Sequence, residues 1–342
     1  MNTIGQVMPK VDINKMIFSS ISSSAHPVKE FGKEWYLTFL ISLSKVPGVK
    51  SKIRLYRMTS VSAREEIVNW DMDEYRYMHS FAVTKNYAVL IAPPMFIKPL
   101  ELFTRGNVVD ALEFKKESPV LIYVVDLRTK NVTTLKSDPL FYMHHINAFE
   151  DNNEIIVDIC AFDNVTNVKM FELHNLRNPT IRNELQFKNY IKRFVINVNT
   201  LKVDSHVIHA SGKVPYSTNV DMPTINEKFR HRKYCYFYGI GMKIDNVNFN
   251  SYAVVKKDMC GKGRDLAWTV KDHYPSEAYF VAAPNSTEED DGILMTHVFD
   301  GLKKKTYLLL LNAADMIPIT QSYLPTFLPM SFHGRFFSDG HL

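Results

Sequence analysis

Short apolar runs with a two-residue rhythm, separated by polar and turn-forming clusters, dominate the chain, and long stretches with apolar residues at three- and four-residue spacing are few. The clearest runs are IRLYRM at 53–58, YAVLIAP at 87–93, VLIYVVDLRT at 120–129, EIIVDICAF at 154–162 and RFVINVNT at 193–200. They continue with YCYFYGIGM at 234–242, SYAVVKKDM at 251–259, AYFVAAP at 278–284, ILMTHVFD at 293–300 and KTYLLLLNA at 305–313. Short polar links such as EEDDG and DGLKK join neighbouring runs as hairpins. A succession of such hairpins predicts an all-β fold, and the pattern by itself leaves sandwich, barrel and propeller open. No linker or low-complexity segment interrupts it, so one domain over residues 1–342 is expected. APPMFIKPLELF at 92–103 breaks the rhythm: apolar and divided by prolines, it reads either as a buried crossover or as an exposed apolar loop.

Composition narrows the function classes. Of 342 residues, 46% are hydrophobic and 23% charged, enough for a large core and far from a disordered chain. The net charge of +5 is scattered, and FRHRKY at 229–234, the one dense basic patch, reads as a solvated loop, so nucleic acid is not an expected partner. Cys160, Cys235 and Cys260 lie far apart and leave one thiol over in any pairing, which suggests a reducing cytosol and a cytoplasmic location. The N-terminal MNTIGQVMPKVDINKMIFSSI lacks the apolar stretch of a signal peptide, and the aliphatic run at 307–314 falls well short of a membrane span.

Histidine carries the candidate chemistry. Five of the 12, His174, His206, His209, His231 and His341, occupy polar or loop-like contexts, and neither HEXXH nor CXXC occurs. Four others are embedded in aromatic or apolar strings beside predicted strands: SAHPVKEFGKEWYLTF with His26, YRYMHSFAVTKNYAVL with His79, FYMHHINAFEDNNEIIVDI with His144, and LPMSFHGRFF with His333. Ligands so unevenly spaced converge only if several elements point inward at one axis, which a propeller provides. Successive strand residues face opposite sides, so one ring of His144-His145 is a packing residue.

These strings, in this order, resemble the carotenoid oxygenases, the family of the β-carotene cleavage enzymes, the plant epoxycarotenoid dioxygenases and the retinal pigment epithelium isomerohydrolase. YMHSFAVTKNYAVLIAPP at 77–94 and MHHINAFEDNNEIIVDICAF at 143–162 resemble its second and third histidine segments, YPSEAYFVAAPNSTEEDDGILMTHVFD at 274–300 with YLLLLNAADM at 307–316 its C-terminal stretch, and SFHGRFF at 331–337 its close. The resemblance runs from about Gly5 onward and implies a seven-bladed β-propeller with a dome of loops and helices. It further implies one non-haem Fe(II) held by His26, His79, His144 and His333, with O2 as co-substrate and no side chain acting as nucleophile or general base. Three family glutamates receive the outward N–H of the ligating rings. Glu277 in YPSEAYF matches one, and Asp221 in VDMPTIN stands at a second, one methylene shorter, with its hydrogen bond expected to be lost or water-mediated. The third belongs upstream of His26, in family sequence this chain lacks; the chain is expected to be short of about two N-terminal blades.

The implied substrate is a carotenoid or apocarotenoid cleaved at a conjugated double bond to aldehyde or ketone products. Tyr77, Phe81, Phe149 and Phe332, close in sequence to the ligands, are expected to line its tunnel. Residues 92–103 match a family loop that dips into a membrane surface, implying peripheral attachment. The alternatives are an impaired fragment or non-catalytic carotenoid-binding protein, and a retinoid isomerohydrolase using the same iron.

Overall fold

The two-residue rhythm is realised as five antiparallel sheets, each assembled from strands that follow one another along the chain. A computed structural model describes residues 18–44, 49–60, 62–98, 101, 110–166, 172–184, 188–214, 216, 218–242 and 252–336. The first sheet contains β1 (Phe18–Ser23), β2 (Val28–Lys29), β3 (Tyr36–Ser44), β4 (Ser51–Met58) and β5 (Arg64–Met72). Its order is β1-β3-β4-β5, with β2 also paired to β3. The second combines β6 (Ala82–Val83) and β7 (Tyr87–Ala92) with β10 (Val120–Asp126) and β11 (Val132–Ser137). Between them β8 (Met95–Ile97) and β9 (Leu112–Phe114) form a separate ribbon.

The third sheet is β12 (Phe141–Asp151), β13 (Glu154–Phe162), β14 (Tyr190–Asn197) and β15 (Val203–Ile208). Two short helices, α1 (Leu173–Arg177) and α2 (Pro179–Glu184), interrupt it. The fourth is β16 (Val220–Thr224), β17 (Tyr236–Met242), β18 (Tyr252–Asp258) and β19 (Leu266–Trp268). The fifth is β20 (His273–Pro275), β21 (Tyr279–Ala282), β22 (Gly292–Asp300), β23 (Lys305–Asn312) and β24 (Pro318–Tyr323). It runs β20-β22-β23-β24, with β21 also on β22. Sequential meanders of four or five strands are blades, which decides among the three all-β architectures; the described residues contain five where the resemblance implies seven.

Burial explains which strands the sequence announces. The inner strands β7 and β13 are buried almost throughout, so they read as continuous apolar runs, whereas the last strands β15 and β24 are largely or wholly exposed and carry polar sequence. Two compact units are distinguished, residues 1–143 with 196–203, and 144–195 with 204–342. The core of the first joins Leu37, Phe39, Phe81 and Leu90; the second has one core around Tyr238, Leu294 and Leu309 and another around Phe149, Cys160 and Phe237.

Met95, Phe96 and Ile97 are buried and pair with β9, so residues 92–97 take the buried of the two readings. Residues 99, 100, 102 and 103 of that segment lie outside the described residues. Cys235 and Cys260 are joined by a disulfide, because Tyr236 pairs with Asp258 and brings the residues flanking β17 and β18 opposite each other. The inference of a reducing compartment from three separate thiols therefore falls; only Cys160 is a free, buried thiol. Among the described residues no helix is long and apolar enough to cross a membrane.

Candidate metal centre

His26, His144, Asp221 and Glu277 lie on, or at a break in, the first strand of their sheets, at the sheet's edge, and His79 lies just before the first strand of its own. An edge strand leaves one row of backbone groups outside the ladder, so it tolerates prolines, breaks and bulges that would disrupt an inner strand. In the first sheet His26 lies in the gap between β1 and β2, where Pro27 has no N–H to give the ladder. The Ser24 hydroxyl holds the gap in shape, donating to the His26 carbonyl at 3.0 Å and accepting from the His26 N–H at 3.1 Å. His79 lies just before β6, and its carbonyl accepts from the Ala25 N–H at 2.9 Å, which ties the two histidine segments together.

That tie brings His26 Nε2 to 3.1 Å from His79 Nε2. About 3 Å is also the separation of neighbouring nitrogens at right angles on one ion with metal–nitrogen bonds near 2.1 Å. The other nitrogen of His79, Nδ1, lies 2.7 Å from the Tyr77 hydroxyl. Tyr77 is anchored in turn by its N–H to the Met95 carbonyl at 2.8 Å, so the buried crossover braces the His79 segment. Burial pushes the Tyr77 phenol above its ordinary range, keeping it protonated near neutrality.

In the second unit His144 projects from β12 and His333 follows β24, with ring centroids 5.1 Å apart and nearly perpendicular. His144 is 8% exposed, and its Nδ1 lies 2.8 Å from Asp221 Oδ1. This corrects the expectation of a lost or water-mediated bond. The pairing of β16 with β17 shifts register between Asp221 and Thr224, with Met222 at φ +55° and Pro223 following. The bulge compensates for the missing methylene, and the Met222 N–H donates to the same Oδ1 at 2.7 Å. Gly239 on β17 makes room: a Cβ there would stand 2.6 Å from the Asp221 carbonyl. Cys160, fully buried, hydrogen-bonds to the Asp221 side chain. Burial opposes a charge on His144, but the carboxylate outweighs it and its pKa stands above the ordinary imidazole value.

Glu277 occupies the break between β20 and β21, just after Pro275. Its Oε1 lies 3.0 Å from His333 Nδ1 and its Oε2 accepts from the Gly334 N–H at 2.8 Å, holding a ring that is itself 40% exposed. Burial, with His144 beside it, pushes the His145 pKa down to about 3, so this ring stays neutral. Of the aromatic residues expected along a tunnel, Phe81 packs edge-on to Phe39 and Phe149 to Tyr234 within the cores, while Phe332 is 67% exposed.

The donor chemistry suits a divalent metal of borderline softness. Three rings turn Nδ1 to an oxygen, His79 to Tyr77, His144 to Asp221 and His333 to Glu277, so Nε2 is the nitrogen that each would offer a metal. The residues missed in the sequence, Ser24, Cys160 and Gly239, carried no chemical motif. The prolines did signal: Pro27, Pro223 and Pro275 each lie within two residues of His26, Asp221 and Glu277 in an otherwise strand-like context.

A profile of the family described as retinal pigment epithelial membrane protein matches residues 1–338. The chain is 24% identical to human β,β-carotene 15,15'-dioxygenase, covering 98% of this chain and 67% of that relative. It is 27% identical to the human mitochondrial carotenoid-cleaving dioxygenase, covering 76% and 51% respectively. The chain thus spans between about half and two-thirds of the length of these relatives. Among solved structures, a tryptophan-to-alanine variant of Synechocystis apocarotenoid oxygenase superposes with a TM-score of 0.78 at 20% identity, covering 98% of this chain and 67% of that one. Cobalt-substituted Synechocystis apocarotenoid oxygenase gives 0.76 at 21%, covering 92% and 64%. The blade-type sheets, the histidine segments and the match over nearly the whole sequence make this chain a member of the retinal pigment epithelial membrane protein family, the carotenoid oxygenases.

Proposed function

We propose that His26, His79, His144 and His333 together hold one Fe(II), and that the protein uses O2 to cleave a conjugated double bond of a carotenoid or apocarotenoid into two carbonyl products. The observation that carries this reading is the division of labour within the rings: His79, His144 and His333 each turn Nδ1 to an oxygen and so keep Nε2 for a metal. Family membership and relatives named for β-carotene and carotenoid cleavage supply the substrate class. Bound there, Fe(II) supplies the site at which dioxygen is activated beside an alkene. The protein's own residues set the geometry: the Ala25–His79 tie and the Asp221 and Glu277 carboxylates fix the rings, so that little is left to reorganise when metal and substrate arrive. Tyr77 and Phe332 flank the ligands and offer apolar faces to a polyene, while Phe81 and Phe149 shape the walls from within the cores.

The test is reconstitution of the full chain with Fe(II), followed by aerobic incubation with a panel of carotenoids and apocarotenoids in micelles and separation of the products. Two aldehydes or ketones from one polyene, absent in His79→Ala and His144→Ala, are expected. A folded, iron-loaded sample that cleaves no member of the panel overturns the proposal. Stoichiometric binding without cleavage would then identify a carotenoid-binding protein, and a geometrically isomerised retinoid an isomerohydrolase.

A further inference from the structure

The Asp221 carboxylate behind His144 is itself gripped from the third sheet. β13 packs against β16, and residues 158 and 160, two apart on β13, turn to the same side. There Asp158 accepts from the Arg193 guanidinium at 2.7 and 2.8 Å and from the Tyr234 hydroxyl at 2.7 Å, while Cys160, fully buried, reaches the Asp221 side chain. Cys160 shares its core with Ile146 and Phe149 of β12 and with Val220 and Phe237 of β16 and β17. One residue before Asp221, the Val220 carbonyl accepts from the Asn189 amide at 2.7 Å. The start of β16 is thus tied to the third sheet through its backbone at one residue and its side chain at the next.

A carboxylate has no hydrogen to give, so the partner donates in each of its bonds. Oδ1 of Asp221 accepts from His144 Nδ1 at 2.8 Å and from the Met222 N–H at 2.7 Å. Cys160 brings a third hydrogen, because burial and the neighbouring carboxylates keep its thiol protonated. Resting on the proposed metal site, we infer that Cys160 is a positioning residue for the metal: its S–H donates to Asp221 and sets the carboxylate so that Oδ1 meets the Nδ1–H of His144 and Nε2 is left to the ion. Two donors on one oxygen let a carboxylate swing about them; a donor from another direction, held on a regular strand, stops that motion. A thiol is a weak donor, but its acceptor here is charged and only 13% exposed, and hydrogen bonds to charged acceptors are the stronger kind.

The experiment titrates the metal-free full chain and its Cys160→Ser and Cys160→Val variants with Co(II), following the visible ligand-field bands. Serine keeps a donor and valine keeps an apolar side chain of similar size, so the two separate orientation from packing. Cys160→Val is expected to lower affinity about tenfold, the low end for groups that support a ligand, and to shift the Co(II) bands, with Cys160→Ser close to the unaltered chain. A Cys160 that only fills the core gives the reverse order in stability and leaves affinity and spectrum unchanged in both, which overturns the inference while leaving the metal site standing. Failure of the unaltered chain to bind Co(II) overturns both. A second measurement needs no substitution at 160. Cys235 and Cys260 are joined, so the S–H stretching band in the infrared spectrum belongs to Cys160. Metal on His144 draws the Asp221 charge toward the ring, weakens it as acceptor for the thiol, and should move that band to higher frequency. A band unmoved by saturating Co(II) overturns the inference.

Discussion

The histidine pairs of the two units reach similar ends by different local means. In the first, His26 and His79 stand in chain segments beside short strands, fixed by backbone and hydroxyl bonds, Ala25 to His79 and Ser24 to His26, with a phenol behind one ring. In the second, His144 belongs to an 11-residue strand and needs no special backbone, and the irregularity is moved onto its partner: Asp221 sits in a bulge and Glu277 in a break. A ligand on a regular strand is positioned by its own ladder, so the supporting group must do the reaching. A ligand on an irregular segment is positioned by ties from the backbone and hydroxyl groups around it.

The difference can be broken or sharpened by experiment, beginning with the largest effect. His79→Ala and His144→Ala are each expected to abolish stoichiometric Fe(II) binding, measured as iron content after gel filtration; retention by either would separate the pairs into independent sites. Phe81→Ala and Phe149→Ala, one in each unit, are expected to destabilise the fold by about 3–5 kcal/mol in urea unfolding, as buried aromatics do. A much smaller cost with a raised substrate KM would instead mark them as tunnel residues. Asp221→Asn keeps the size and removes the charge, and should weaken Co(II) binding about 10–100-fold. Gly239→Ala, which crowds the Asp221 bulge, should reproduce part of the Asp221→Asn loss without touching any ligand.

The smallest expected effect is on the acid side of stability. Glu30 in the first unit is partly desolvated, which alone would raise its pKa, but hydrogen bonds from Arg57 and Trp35 hold it below the ordinary value. Asp258 in the second is likewise desolvated and held low by the Arg264, Cys260 and Lys262 backbone N–H groups and the Ser211 hydroxyl. Both contributions are present above the unfolded carboxylate range near pH 4 and are lost as the pH falls through the lower folded values. Urea midpoints followed downward from neutral pH should fall more steeply in the unaltered chain than in Glu30→Gln, which lacks the first contribution.

Legibility tracked burial and regularity. The inner strands were readable because two buried faces demand unbroken apolar sequence, as in Tyr87–Ala92 and Glu154–Phe162. The strand Pro318–Tyr323 was not, because it is exposed throughout and held only by its ladder to Lys305–Asn312. The four histidine strings stood out because imidazoles amid apolar and aromatic residues are unusual. Met95–Ile97 kept its alternatives open, since apolar residues divided by prolines satisfy a buried ribbon and a lipid-facing loop equally well. The disulfide was hidden because 25 residues separate Cys235 from Cys260 and only the pairing of their strands brings them together.

By itself, the order of apolar and polar residues determined that this chain folds as successive antiparallel sheets, and its motifs determined the family and the candidate ligands; both are written in local sequence, where side-chain alternation and residue type act directly. Which nitrogen of each ring faces inward, that Asp221 reaches His144 despite its shorter side chain, that Tyr77 stands behind His79, and that Met95–Ile97 is buried were decided only in the tertiary structure. Each depends on a strand register, a bulge or a backbone tie between distant residues, and differences of an ångström or less, such as one methylene, carry no signature in sequence until the chain has folded around them.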